Sequence, residues 1–332
     1  MDRKTDEIYS FNTERFKKIL KIPHIMKTTE YKIRSHFDEL DLSVLVSTPD
    51  SEQPKAVVQF AHGMCEHKER YLPFMEFLCR HGYACIIHDH RGHGRSVRKA
   101  EDLGYFYKSG WEAVVGDIFV VNGMAKEIFP EKPVFLFGHS MGSLAVRCFV
   151  KRFDDLIDGL IVCGSPSKNP ATGAGLLLTR AIASVRGYRH RPKLIQKMAF
   201  EGFNKKFEAE GANAWLSTDR KVVEEYNENP LCGYAFTANG YIGLFNLMKD
   251  CYDLDGWNIS KPEMPVLFIA GTDDPCINSH DDFILATDYM RIAGYENVRS
   301  HLYNGMRHEI LNETDKEVVW KDVLKTFDTW LG

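Results

Sequence analysis

The chain has 332 residues, 44% hydrophobic and 27% charged, with 25 Gly, 13 Pro and a net charge of −4. That balance excludes a disordered, collagenous or coiled-coil chain, and at roughly 150 residues per domain it holds two domains or one domain with a large insertion. A net charge of −4 gives no electrostatic footprint for nucleic acid, no apolar run approaches the roughly 18 residues of a membrane span, and Met1 to Glu7 mix charges unlike a secretory signal. A cytoplasmic protein is expected. Its eight cysteines form no C-x-x-C pair, so buried thiols are expected rather than a zinc cage or a disulfide framework.

In chain order, residues 27–48 alternate at Leu42, Val44 and Val46, which suggests a short antiparallel pair. Apolar runs then recur between helical patterns: Ala56 to Ala61, Tyr83 to His88, Val134 to Phe137, Leu160 to Val162, Val266 to Ala270 and Val298 to Tyr303. Near-continuous apolar strands separated by helices indicate a parallel sheet covered on both faces, so the class is α/β. Helices are predicted over Trp111 to Phe129 and Met141 to Phe153, and at the C-terminus through Trp320, Val323, Leu324, Phe327 and Leu331.

The rhythm breaks over residues 165–263, where helical spacing dominates. Leu178, Ala181, Ile182 and Val185 form one apolar stripe there, and Tyr241, Leu244, Phe245 and Met248 another. The expected organisation is a core made of residues 1–164 and 264–332, with 165–263 as an inserted helical cap.

The sharpest motif is Gly138-His139-Ser140-Met141-Gly142, which joins a buried strand to a helix. A serine on so tight a turn needs small neighbours two positions away, and the helix start places the Met141 N–H where an oxyanion would develop. Such a serine needs a base and an orienting acid. Asp273 and Asp274 follow one late strand, and His308 follows the next, giving the chain order Ser, Asp, His. Only one of the two aspartates can face the imidazole, and Asp274 is preferred. Gly63 and Met64, after an early strand, suit the second oxyanion donor.

Together with Gly138 to Gly142, His62-Gly63-Met64-Cys65-Glu66-His67 and Asp89-His90-Arg91-Gly92-His93-Gly94-Arg95-Ser96 resemble the monoacylglycerol lipase and lysophospholipase branch of the α/β-hydrolase superfamily, also labelled serine aminopeptidase-like. The resemblance spans about residues 54–312. It implies an α/β-hydrolase fold, with Ser140 as nucleophile, Asp274 as acid, His308 as base, Met64 and Met141 as oxyanion donors, and the insertion as a lid. The Asp-Asp pair at residues 273–274 departs from the family pattern.

No cofactor is implied. His88, His90, His93 and Asp89 invite a metal reading, but strand alternation sends His88 and Asp89 to opposite faces and no H-E-x-x-H or cysteine cluster supports them; no metal site is expected. Gly164-Ser165-Pro166-Ser167 lacks the closing glycine of a nucleophile turn and reads as a hinge into the cap. Residues 180–206 carry eight basic side chains against one acid, Glu201, interleaved with Leu194, Ile195, Met198, Phe200 and Phe203. That mixture suits weak contact with an anionic lipid surface.

The expected activity is hydrolysis of acyl esters, with Leu176, Leu177, Phe236, Tyr241 and Phe245 as cap residues suited to an acyl chain. An aminopeptidase is the alternative; it would need acids for the substrate amine, and Glu224, Glu225 and Glu228 are available. A non-catalytic ligand receptor on the same fold is the third reading. Cys65 and Cys276 fall in the two loops that frame the expected site.

Overall fold

The computed structural model describes residues 18–20, 26–50 and 53–332. Three strands lead the chain: β1 (Lys18–Leu20), β2 (Met26–Arg34) and β3 (Asp41–Pro49). Strand and helix then alternate through β4 (Val57–Ala61), α1 (Leu72–Arg80), β5 (Ala84–His88), α2 (Gly110–Ile128), β6 (Val134–His139), α3 (Met141–Phe153) and β7 (Gly159–Cys163). Four helices follow without a strand: α4 (Thr172–Arg186), α5 (Lys193–Phe200), α6 (Arg220–Glu228) and α7 (Ala238–Cys251). The alternation resumes with β8 (Val266–Gly271), α8 (His280–Ala293), β9 (Val298–Tyr303) and α9 (Lys316–Leu331).

These strands form one nine-stranded sheet in the order β1-β2-β3-β5-β4-β6-β7-β8-β9, antiparallel as far as β5 and parallel from β5 to β9. Because β4 lies between β5 and β6, the chain reverses its winding there. Ligands of open parallel sheets bind beyond the carboxyl ends of strands at such a switch point.

Period-2 alternation sends each central strand's side chains into two cores. Val58, Phe60, Phe135 and Phe137 meet α1 and α9 in an aromatic layer, with Phe60 and Phe137 at 5.4 Å and Phe135 stacked on Phe327 at 5.0 Å between centroids. Val57, Ala61 and Leu136 face α2 and α3 on the other side. Each fully buried Phe contributes about 1.5–3 kcal/mol of transfer free energy. In α9, Val319, Val323 and Phe327 are buried, with Trp320, Leu324 and Leu331 partly buried beside them.

The turn after β5 ties the sheet together. The Asp89 carboxylate accepts from Lys68 N and Nζ at 2.8 Å and from Arg95 N at 2.9 Å. Arg91 Nε donates to Asp117 of α2 at 2.8 Å, and Ser96 Oγ accepts from Ser43 N of β3 at 2.9 Å. A side chain at Gly94 would collide with the Asp89 carboxylate, which fixes glycine there.

One expected stripe points the wrong way. The buried residues of α4 are Leu176, Thr179 and Ala183, whereas Leu178 and Val185 are exposed, Val185 by 81%. Helix α4 packs chiefly on α7 through its small-residue side, where Gly175 sits close to the Phe245 ring. Leu177, Leu178 and Val185 are therefore left facing outward. No described helix is long and apolar enough to cross a membrane.

Candidate active site

Ser140 stands between β6 and α3 with φ 52° and ψ −120°. A positive φ is strained for serine, and its surroundings hold it: Ser140 N donates to Cys163 O at 2.9 Å, and Ser143 N donates back to Ser140 O at 2.9 Å. The flanking glycines are required by contact. A side chain at Gly142 would strike the carbonyls of Ala61 and His62, and one at Gly138 would strike Val146 and the Gly142 carbonyl. Thus α3 starts against the end of β4, and a Cβ at Gly63 would lie 3.1 Å from Ser140 Cβ. Among the described residues the Met64 and Met141 N–H groups donate to no backbone carbonyl, and both residues line a cleft with Ser140.

Beside this turn His308 is buried, with Nδ1 at 2.9 and 3.0 Å from the two Asp274 carboxylate oxygens. That contact places a proton on Nδ1 and leaves Nε2 with its lone pair. Asp274 is held by the Cys276 N–H at 2.8 Å. Burial disfavours the imidazolium, but the adjacent Asp274 carboxylate outweighs it and holds His308 well above its ordinary value. The neighbouring Asp273 turns outward to Lys206 at 2.7 Å, so Asp274 is the aspartate that faces the imidazole.

The sequence motifs assign no role to several residues around this pair. The His139 ring packs on His308 at 4.7 Å; burial, then the neighbouring His308, push its own value down to about 3. Arg70 bridges Glu66 (2.8 Å) and Glu309 (2.6 Å to each carboxylate oxygen), while Glu66 Oε1 accepts from Gly63 N at 2.5 Å and Tyr71 OH at 3.0 Å. The loop holding Met64 is thus braced against the loop holding His308. The only local signal for Arg70 is its i,i+4 spacing from Glu66.

The helical insertion reaches the same loop. His308 N and Glu309 N donate to Trp215 O and Leu216 O at 3.4 and 2.7 Å, and the Arg307 guanidinium donates to Ala214 O at 2.7 Å and Glu210 at 2.7 Å. Trp215 lays its indole against the imidazole with centroids 5.0 Å apart. Nothing near Trp215 in sequence announces this contact, because it is made across the fold.

An open cleft leads to Ser140, with Ile195, Met198, Phe200, Phe203, Leu244, Phe245 and Met248 among its apolar walls. Ser167, Asn169, Thr172 and Asn278 supply its polar side chains, and none of its lining residues carries a carboxylate. Of the residues expected to contact an acyl chain, Phe245 lines the cleft. Phe236 and Tyr241 do not: both are fully buried, Phe236 against His93 and Phe106. Leu176 is buried and Leu177 is 68% exposed, so neither is a wall. Glu224, Glu225 and Glu228 lie exposed on α6. Cys276 lines the cleft, whereas Cys65 sits outside it with Sγ 2.9 Å from Tyr234 O.

The histidines of the β5 turn pack on one another. His62 and His90 centroids lie 4.5 Å apart and those of His88 and His90 4.8 Å apart, and burial pushes all four of His62, His88, His90 and His93 down. The one grouping of three or more metal-ligand side chains among the described residues is elsewhere, at Asp274, Cys276 and His308.

Residues 52–315 match the family described as Serine aminopeptidase, S33. The chain is 30% identical over 285 residues to a monoacylglycerol lipase of Mycolicibacterium smegmatis, covering 84% of this chain and 89% of that one. It is 24% identical to a human monoglyceride lipase, covering 84% and 83% of the two chains. A thermostable carboxyl esterase from Bacillus coagulans, solved with glycerol, superposes with a TM-score of 0.84 at 22% identity over 92% of this chain and 99% of that one. A nine-stranded sheet, a strained serine between strand and helix, and the family match over most of its length agree: the chain belongs to the serine aminopeptidase S33 family of α/β-hydrolases, on its monoacylglycerol lipase-like side, and is a carboxylic ester hydrolase.

Proposed function

We propose that the protein hydrolyses lipid-like acyl esters, of monoacylglycerol or lysophospholipid type, through an acyl-enzyme on Ser140. The observation that carries this reading is the strained serine at an apolar cleft, next in sequence to His139, whose ring packs on a buried histidine paired to a carboxylate. Ser140 Oγ attacks the acyl carbonyl while His308 Nε2 takes its proton, and Asp274 keeps the tautomer and steadies the imidazolium. The Met64 and Met141 N–H groups stabilise the tetrahedral oxyanion. Protonated His308 then gives its proton to the departing alkoxide, and the same base activates water to release the acid.

Residues 165–263 act in this reading as a cap on a core made of 1–164 and 264–332, and the cap supplies most of the acyl-chain wall. The carboxylate-free cleft favours an ester with a hydrocarbon acyl group over an aminoacyl substrate, whose ammonium would need an acidic partner. The cap face bearing Leu177, Val185 and Met198 serves as a weak contact for anionic lipid. Eight free thiols, all buried, are in keeping with a reducing, cytoplasmic setting.

A panel of p-nitrophenyl esters, monoacylglycerols, lysophospholipids and aminoacyl anilides tests the substrate class. Esters should turn over and anilides should not. Ser140→Ala should lower kcat by about 10⁶ and abolish fluorophosphonate labelling. Persistent labelling of that variant would place the nucleophile elsewhere.

A further inference from the structure

We propose that Cys276 Sγ and His308 Nε2 form an inhibitory site for a thiophilic divalent cation, zinc in the ordinary case. The two atoms lie 3.9 Å apart, and Asp274 completes a grouping in which one donor atom from each residue lies within 4.8 Å of the others. Zinc bonds of about 2.3 Å to sulfur and about 2.05 Å to nitrogen bridge 3.9 Å at an angle of roughly 127°, and a closure of about 0.3 Å makes the angle tetrahedral. Neither ligand has to change its place in the fold.

The remaining chemistry fits the same ion. A histidine that donates Nδ1–H to a carboxylate and keeps Nε2 for a metal is the orientation that supports zinc, with the carboxylate raising the ligand's basicity. Asp274 makes that bond already at 2.9 Å. Cys276 opens on the cleft that holds Ser140, so a hydrated cation reaches the pair by the route a substrate would take. Water fills its other coordination positions from the same side. The soft thiolate selects zinc or cadmium over magnesium, which prefers oxygen ligands.

As the metal–sulfur bond forms, the thiol proton leaves to solvent and no electron is transferred. It is the metal that displaces this proton. The Nε2 lone pair then belongs to the metal and cannot take the serine proton. This consequence rests on His308 being the base, as read above; the binding site itself does not.

The test uses the chelator-treated full chain. Zinc chloride should inhibit ester hydrolysis, EDTA should restore it, and magnesium chloride should leave it unchanged. Expressed against each protein's own metal-free rate, Cys276→Ala should weaken zinc inhibition by at least about tenfold. Independently of turnover, cobalt(II) added to Ser140→Ala should give a thiolate-to-cobalt charge-transfer band that is absent from the Ser140→Ala, Cys276→Ala double variant. Zinc inhibition undiminished in Cys276→Ala, or no thiolate band with cobalt, overturns the site. A cobalt band in a protein that hydrolyses no ester would instead overturn the functional reading and leave the site standing.

Discussion

At the residue scale the strongest coupling is between His308 and Asp274. In the proposed mechanism His308 accepts the serine proton only when Nε2 is unprotonated, so activity should rise with pH as the imidazolium titrates. Because the folded protein holds His308 above its ordinary value of 6.5, despite burial, the midpoint of the acid limb of kcat/KM should lie above 6.5. Asp274→Asn should move that midpoint down, since the charge that raised it is gone, and lower kcat by about 10⁴. Rate profiles from pH 5 to 9 for both proteins check this, and an unmoved midpoint in the variant would assign the orienting charge to another group. Ser140 and His308 were legible because each lies beside a strand end in a short, chemically dictated motif. Asp274 was separable from Asp273 only by preference, since adjacent aspartates present the same chemistry until the backbone decides which faces inward.

The helices of the insertion show where periodicity informs and where it misleads. Tyr241 and Leu244 lie buried on α7, as an apolar stripe predicts, with Phe245 and Met248 partly buried beside them. Helix α4 has apolar residues on more than one side, so spacing could not reveal which side meets the protein. The outward side carries Leu177, Leu178 and Val185, continues through Tyr188, and meets the exposed Leu194 and Met198 of α5. The surplus of basic residues is also partly structural. Arg189 pairs with Asp102, Arg191 donates to Leu103 O at 2.8 Å, Lys197 pairs with Glu201 at 3.2 Å and Lys206 pairs with Asp273. Arg180, Arg186, Lys193 and Lys205 remain exposed around the apolar side chains without an ion-pair partner among the described residues. Leu177→Asp combined with Val185→Asp should reduce co-sedimentation with phosphatidylglycerol vesicles at least about fivefold, combining lost apolar burial with reversed electrostatics, while hydrolysis of a short soluble ester stays within about twofold. Equal sedimentation of both proteins would remove the face from consideration.

For the molecule as a whole, the mostly parallel sheet was legible from strand–helix alternation. The cross-chain contacts around the site were not, because residues hundreds of positions apart share no local pattern. One global property follows from the buried histidines. His62, His88, His90, His93 and His139 are neutral in the folded state, with burial holding His88 and His139 at about 3 and His93 at about 4. Unfolded histidine binds its proton below about 6.5, so from there down to the folded values the unfolded chain carries more protons and stability falls as pH falls. Each such histidine contributes up to about 1.4 kcal/mol per pH unit within its window. The urea midpoint should therefore drop clearly between pH 7 and pH 5, and an unchanged midpoint would mean that the cluster is hydrated or already charged when folded.

The grip of residues 210–217 on the histidine loop divides labour within the insertion. If all of residues 165–263 swung away together, His308 would lose both its indole cover and the backbone bonds that seat it. On the proposed reading, admission of the acyl ester thereby falls to α4 and α5, and custody of the base to the segment after them. Exchanging α4 and α5 for helices of other shape is accordingly the economical way to redirect this enzyme toward new acyl groups, since the proton-handling machinery would travel unchanged.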